Sequence, residues 1–134
     1  MTKPEAVLAG KHILLVEDNE INQLVAMRLL EEERIQVTCA VNGKDAVETF
    51  ERSKPQSIDL ILMDIRMPVM DGLEATRQIR ALNRPDAKTV PIIAMSANAY
   101  EEDRQLSLSS GMNAHLSKPV EPKVLYDTVL AYME

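Results

Sequence analysis

Four short apolar runs, each ended by a chemically useful polar residue, constrain this chain more than any other feature. Ile13-Leu14-Leu15-Val16 stops at Glu17-Asp18, Leu60-Ile61-Leu62-Met63 at Asp64, and Ile92-Ile93-Ala94-Met95 at Ser96. The shorter Ala114–Ser117 stops at Lys118-Pro119. An unbroken run of this kind suits a strand covered on both faces. Gln36–Ala40 alternates instead, with Val37 and Cys39 on one side, which predicts a half-buried strand nearer a sheet edge.

Amphipathic stretches fill the gaps. Asn19 is placed to cap a helix running through Glu33, apolar at Ile21, Leu24, Val25 and Leu29. Asn42-Gly43 marks a turn before a second helical face of Ala46, Val47 and Phe50, and Asp71-Gly72 opens a third helix with Ala75, Thr76 and Ile79 inward. Tyr100–Ser110 reads as a weak, polar helix stopped by Gly111. Glu121–Tyr132 closes the chain as a helix with Val124, Leu125 and Val129 on its core side. Strands alternating with helices predict an α/β fold: a doubly wound, five-stranded parallel sheet with right-handed crossovers and strand order 2-1-3-4-5. Residues 11–134 form this one domain, and residues 1–10 are expected to be a linker or an appended tail.

Composition narrows the function. A length of 134 residues, 46% of them hydrophobic, fits a single core. The net charge of −6 argues against nucleic acid or an anionic membrane as a direct partner. A single cysteine, Cys39, excludes an internal disulfide and a multi-cysteine zinc site. No apolar run approaches the roughly 18 residues of a membrane helix. The first residues also lack the apolar segment of a secretory signal, so the expected setting is cytoplasmic.

In the predicted fold the strand ends share one edge, which gathers Glu17, Asp18, Asp64, Ser96 and Lys118. Ionised carboxylates about 4 Å apart repel by roughly 4 kcal/mol per pair at an effective dielectric near 20. A proton on one acid or a bound dication relieves this. An all-oxygen, shallow site suits Mg²⁺ beside a phosphate oxygen. Ser96 offers a hydroxyl and Lys118 a mobile positive charge for that phosphoryl group. Asp64, on the central strand, is the best-placed nucleophile, already ionised and needing no general base. Neither glycine-rich nucleotide motif occurs, so the phosphoryl group is expected to come from a partner rather than from bound ATP.

At this point the residues resemble a known family. Leu14-Leu15-Val16-Glu17-Asp18-Asn19, the segment from Leu62 to Gly72, Ala94-Met95-Ser96-Ala97 and Ser117-Lys118-Pro119 together look like a receiver (response-regulator) domain of two-component signalling. The wording of Asn19-Glu20-Ile21-Asn22 and of Met70–Ala75 is similar to receivers attached to hybrid histidine kinases. The resemblance implies a flavodoxin-like (βα)5 fold and a regulatory phosphoacceptor that catalyses only its own phosphorylation and slow dephosphorylation. It implies Asp64 as phosphoacceptor, with Mg²⁺ held by Asp18, Asp64 and the Arg66 backbone carbonyl, and by Glu17 mainly through water. It implies that Ser96 and Lys118 engage the phosphoryl group, that Lys118-Pro119 is a cis peptide, and that Arg66 and Asn98 tune phosphoryl lifetime. The implied partners are a histidine kinase, a histidine phosphotransfer domain or both, with homodimerisation through the face of the fourth helix, fifth strand and fifth helix as a further expectation.

One position departs from the family pattern. The usual Tyr or Phe three residues before the lysine is His115, which puts the familiar switch between that ring and Ser96 in doubt. Rival readings fare worse. A haloacid-dehalogenase-like phosphohydrolase needs an Asp at position 66, where Arg66 stands, and a flavin domain lacks its phosphate loop.

Overall fold

Each apolar run becomes a strand of one sheet. The computed structural model describes residues 8–96, 101–118 and 120–133. The strands are β1 (His12–Val16), β2 (Gln36–Ala40), β3 (Leu60–Asp64), β4 (Ile92–Ser96) and β5 (Ala114–Ser117). All pair in parallel, in the order β2-β1-β3-β4-β5, as expected. Helices α1 (Glu20–Glu32), α2 (Gly43–Arg52), α3 (Gly72–Ala81), α4 (Pro85–Thr89), α5 (Glu101–Ser109) and α6 (Pro122–Met133) connect and follow them.

Strand alternation divides the core in two. Leu14, Val16, Ile61, Met63, Ile92 and Ala94 face Ala46, Phe50, Ala75 and Ile79 of α2 and α3. Ile13, Leu15, Leu62, Ile93 and Met95 face Leu30 of α1 and Leu125 and Val129 of α6. Full burial of each such side chain is worth about 1.5–3 kcal/mol, and β3 and β4, buried along their whole length, carry no polar residue before their last position. β2 is half-buried at the edge. Leu8, in the stretch expected to be linker or tail, is buried against the second of these clusters.

Side-chain caps start the helices where the sequence places them. Asn19, Asn42 and Asp71 each accept a backbone N–H from the residue three positions on, at 3.0, 2.8 and 2.8 Å. The helix α1 departs from expectation in its orientation. Ile21, Leu24 and Val25 are 73%, 53% and 54% exposed, and the core side is instead Leu30 with partly buried Ala26, Met27 and Leu29. The apolar stripe is wider than the sheet can cover, so its N-terminal half remains on the surface.

The short helix α4 was not anticipated. Five residues carry no helical period, although Pro85 at its start and Asp86 in its first turn are start signals. Arg84 clamps it to α2. The guanidinium donates to the carbonyls of Phe50 (2.8 Å), Glu51 (3.2 Å) and Ser53 (3.0 Å), lies 4.7 Å from the Phe50 ring centre, and pairs with Asp86 at 2.7 Å. It thus satisfies the Glu51 and Ser53 carbonyls at the end of α2 and adds to the Ser53 donors already on Phe50 O; a cation there also suits the helix dipole. Arg84→Ala takes the donor from the Glu51 and Ser53 carbonyls and the cation from Asp86, which keeps the Gln56 N–H. It should cost about 2–4 kcal/mol, read by urea denaturation; a loss below 0.5 kcal/mol, roughly that of an ordinary surface change, would contradict the clamp.

The helix α5 and the residue after it turn two serines inward and two leucines outward. Ser107 and Ser110 are 1% and 7% exposed, whereas Leu106 and Leu108 are 48% and 59% exposed. Ser109 and Ser110 hydroxyls both donate back to the Leu106 carbonyl, a pattern that weakens helices. Gly111, at φ 104°, ends the segment, and its carbonyl accepts two donors from Arg80 at 3.0 and 2.9 Å. Tyr100 lies outside the described residues.

Candidate phosphoacceptor site

The parallel sheet delivers the predicted cluster. Asp64 ends β3, Glu17 follows β1, Ser96 ends β4 and Lys118 follows β5. Lys118 Nζ lies 2.7 Å from Glu17 Oε1 and 3.0 Å from Asp64 Oδ2. Glu17, Asp18 and Asp64 bring carboxylate oxygens within 4.8 Å of one another. Glu17, Asp64 and Ser96 are buried, while Asp18 is exposed at the rim.

Backbone bonds lock these positions. The Glu17 N–H donates to Ala40 O at 3.1 Å, and its carbonyl accepts from the Gln23 side chain on α1. The Asn19 N–H reaches Glu17 Oε2 at 3.3 Å. Gln23 is a positioning contact that sequence reasoning missed, because a lone glutamine one turn into a helix carries no signal of its own. Lys118 N–H donates to Ser96 O at 2.8 Å, tying the lysine and the serine together.

The loop after Asp64 is equally constrained. Ile65 N–H donates to Met95 O (3.0 Å), Gly72 N–H to Ile65 O (2.8 Å) and Gly43 N–H to Met70 O (3.0 Å). Neither glycine has room for a Cβ. At Gly72 it would strike the Asp64 carbonyl and sit 2.9 Å from Met63 Cγ; at Gly43 it would strike Met70 O and sit 2.9 Å from Asp71 O. Met67 and Met70 are partly buried against the core. Val69 has φ 70°, a left-handed conformation costing an L-residue about 1–2 kcal/mol.

The electrostatics follow from crowding. Burial, then the hydrogen bond with Glu17, pushes Asp64 up to about 6 against the partial relief that Lys118 gives. Burial also opposes ionisation of Glu17, but the Lys118 and Asp64 hydrogen bonds outweigh it and hold Glu17 below its ordinary value. Burial likewise opposes charging of Lys118, and its two carboxylate partners overcome that and raise it. The arrangement is one ammonium facing three acids, with a net negative hollow of hard oxygens. That donor set fits a Mg²⁺-sized cation, which takes carboxylates, carbonyls and water.

The other predicted residues are placed as follows. Arg66 is exposed on the loop, and His115 is half-buried on β5, opposite Ala94 in register. Asn98 lies outside the described residues, as does Pro119, so the expected cis peptide lies there too. A groove of about 420 Å³ opens beside the site between α1 and the start of α6, walled by Val25, Leu29 and Leu125 and ending at Glu17 and Lys118.

Comparisons with known proteins agree with this geometry. Residues 13–130 match the response regulator receiver domain family. A hybrid signal transduction histidine kinase I of Dictyostelium discoideum is 40% identical over 119 residues, covering 87% of this chain and 7% of that protein. The chain spans only 7–16% of the length of the first four curated relatives. The receiver domain of a Pseudomonas aeruginosa sensor histidine kinase, solved with magnesium in its active-site cleft, is 44% identical with a TM-score of 0.81, covering 93% of this chain and 98% of that one. The receiver domain of Saccharomyces cerevisiae Ssk1, solved with the histidine phosphotransfer protein Ypd1, is 32% identical with a TM-score of 0.83, covering 92% and 88%. No described helix is long and apolar enough to cross a membrane. Strand order, the acid cluster at the carboxyl edge and these likenesses make the chain a member of the response regulator receiver domain family, a regulatory switch fold of two-component phosphorelays.

Proposed function

We propose that Asp64 accepts a phosphoryl group from a phosphohistidine on a partner protein. The observation that carries this is Lys118 Nζ bridging Glu17 and Asp64, with Asp18 closing the acid cluster. An Asp64 carboxylate oxygen attacks phosphorus as the donor's N–P bond breaks, and the imidazole leaves with the bonding pair. Lys118 then turns from the carboxylates to a phosphoryl oxygen, and Ser96 donates its hydroxyl to another. Asp18, Asp64, the Arg66 carbonyl and, through water, Glu17 would hold a magnesium ion, which would supply neutralisation of phosphoryl charge. The rest is positioning and electrostatics. Hydrolysis of the acyl phosphate resets the switch, with Arg66 and Asn98 setting its lifetime and Ser96 and His115 relaying its state.

The donor is a histidine kinase or a histidine phosphotransfer domain. The exposed Ile21, Leu24 and Val25 on α1, beside the apolar groove, give it an apolar docking surface. The face of α5, β5 and α6, with exposed Leu106 and Leu108 and with Val124, which is 45% exposed rather than on the core side as its spacing suggested, serves self-association. The setting is cytoplasmic, and residues 11–134 act as one domain.

Acetyl phosphate with Mg²⁺ should add one phosphoryl mass to the wild type and none to Asp64→Asn. Labelling that survives in Asp64→Asn, or fails in the wild type, rules the assignment out.

A further inference from the structure

Val69 carries two unfavourable features that no contact among the described residues compensates. Its φ of 70° puts a β-branched residue in the left-handed region, where glycine or asparagine is at ease. The Met70 N–H donates to Pro68 O at 2.8 Å, closing the rarer, strained form of a three-residue turn around Val69. The other non-glycine residues with positive φ among those described, Arg34 and Gln56, are unbranched. The side chain is also 78% exposed, more than any other large hydrophobic described. Neither packing nor backbone preference accounts for a valine here. The turn is nevertheless held rigidly by the bonds from Gly43 and Gly72, on the loop that leaves Asp64.

We propose that Val69 is a specificity-determining contact for the protein that delivers the phosphoryl group. The strained turn holds it out as an apolar knob that packs against the donor while the phosphohistidine lies in line with Asp64. This rests on the reading of Asp64 as phosphoacceptor. The donor surface it selects is apolar, in keeping with the exposed Ile21, Leu24 and Val25 of α1, the helix that follows Glu17 and Asp18. A small-molecule donor has no surface to meet Val69 and is indifferent to it.

The test compares acetyl phosphate with phosphorylated Ypd1 as donors to the wild type and to Val69→Ile, Val69→Thr and Val69→Asn. All four should label equally with acetyl phosphate and Mg²⁺. Transfer from phospho-Ypd1 should stay near wild type in Val69→Ile. It should fall about tenfold in Val69→Asn and Val69→Thr, the equivalent of one lost apolar contact. Val69→Asn should also melt at a higher temperature, since it relieves the turn, whereas Val69→Thr should not. Equal transfer to all four, or no transfer to a wild type that acetyl phosphate labels, overturns the assignment. A wild type that acetyl phosphate fails to label overturns the phosphoacceptor reading and this one with it.

Discussion

Gly72→Ala is expected to abolish acetyl phosphate labelling and to destabilise the domain by about 3 kcal/mol, the upper range for forcing an atom into filled space. The new methyl would strike the carbonyl of Asp64 itself and crowd Met63 Cγ at 2.9 Å. Both neighbours belong to β3, which is buried along its whole length. The clash is therefore relieved only by moving the strand end that carries Asp64, or by breaking the Gly72 N–H bond to Ile65 O. Gly10→Ala is the control. Gly10 has φ 82° and nothing within 4 Å of its would-be Cβ, so it should lose about 1 kcal/mol and keep full labelling. Urea denaturation and phosphoryl mass, measured on both variants, separate the two cases. A labelled Gly72→Ala would mean that the loop is not the rigid support described here.

Without metal, Asp64→Asn should be more stable than the wild type by about 2–3 kcal/mol at pH 8. The folded state holds the Asp64 proton up to about 6, against an ordinary carboxyl value of 3.8. A carboxyl whose value is raised by folding penalises the folded state once ionised. The penalty is fully present above pH 6 and fades as pH falls towards 3.8. The advantage of the variant should thus be about halved by pH 5. Asp86 works with the opposite sign: the hydrogen bond from Arg84 holds it at about 2, so its stabilisation is present above pH 3.8 and lost only in stronger acid. Denaturation in chelator from pH 5 to 8 reads the gap directly. A gap that widens on acidification, or equal stabilities at pH 8, would contradict the crowding of Asp64 with Glu17.

The sheet and the acid edge were legible because their signals are local. Ile13–Val16 and Leu60–Met63 announce strands buried on both faces, and parallel topology then forces Glu17, Asp64, Ser96 and Lys118 to one rim. The caps Asn19, Asn42 and Asp71 were readable for the same reason. What escaped depends on distant neighbours. The stripe of Ile21, Leu24 and Val25 shows amphipathicity but not how far the sheet extends beneath it. Arg84 meets the end of α2 more than thirty positions away, and no spacing rule reaches that far. The glycines at positions 43 and 72 read as turn residues, whereas their tightest constraint is a backbone carbonyl approaching from another segment. The left-handed turn at Val69 runs against its residue type, so propensity points the wrong way.

The inward Ser107 of α5 and Ser110 just beyond it have a mechanical consequence. With hydroxyls buried and Leu106 and Leu108 exposed, this segment has little apolar burial to hold it in place. One new hydrogen bond, worth about 1 kcal/mol, changes an equilibrium several-fold. A signal arriving at Ser96, at the end of the neighbouring strand, therefore needs little leverage to tilt the segment that presents Leu106 and Leu108 to the outside.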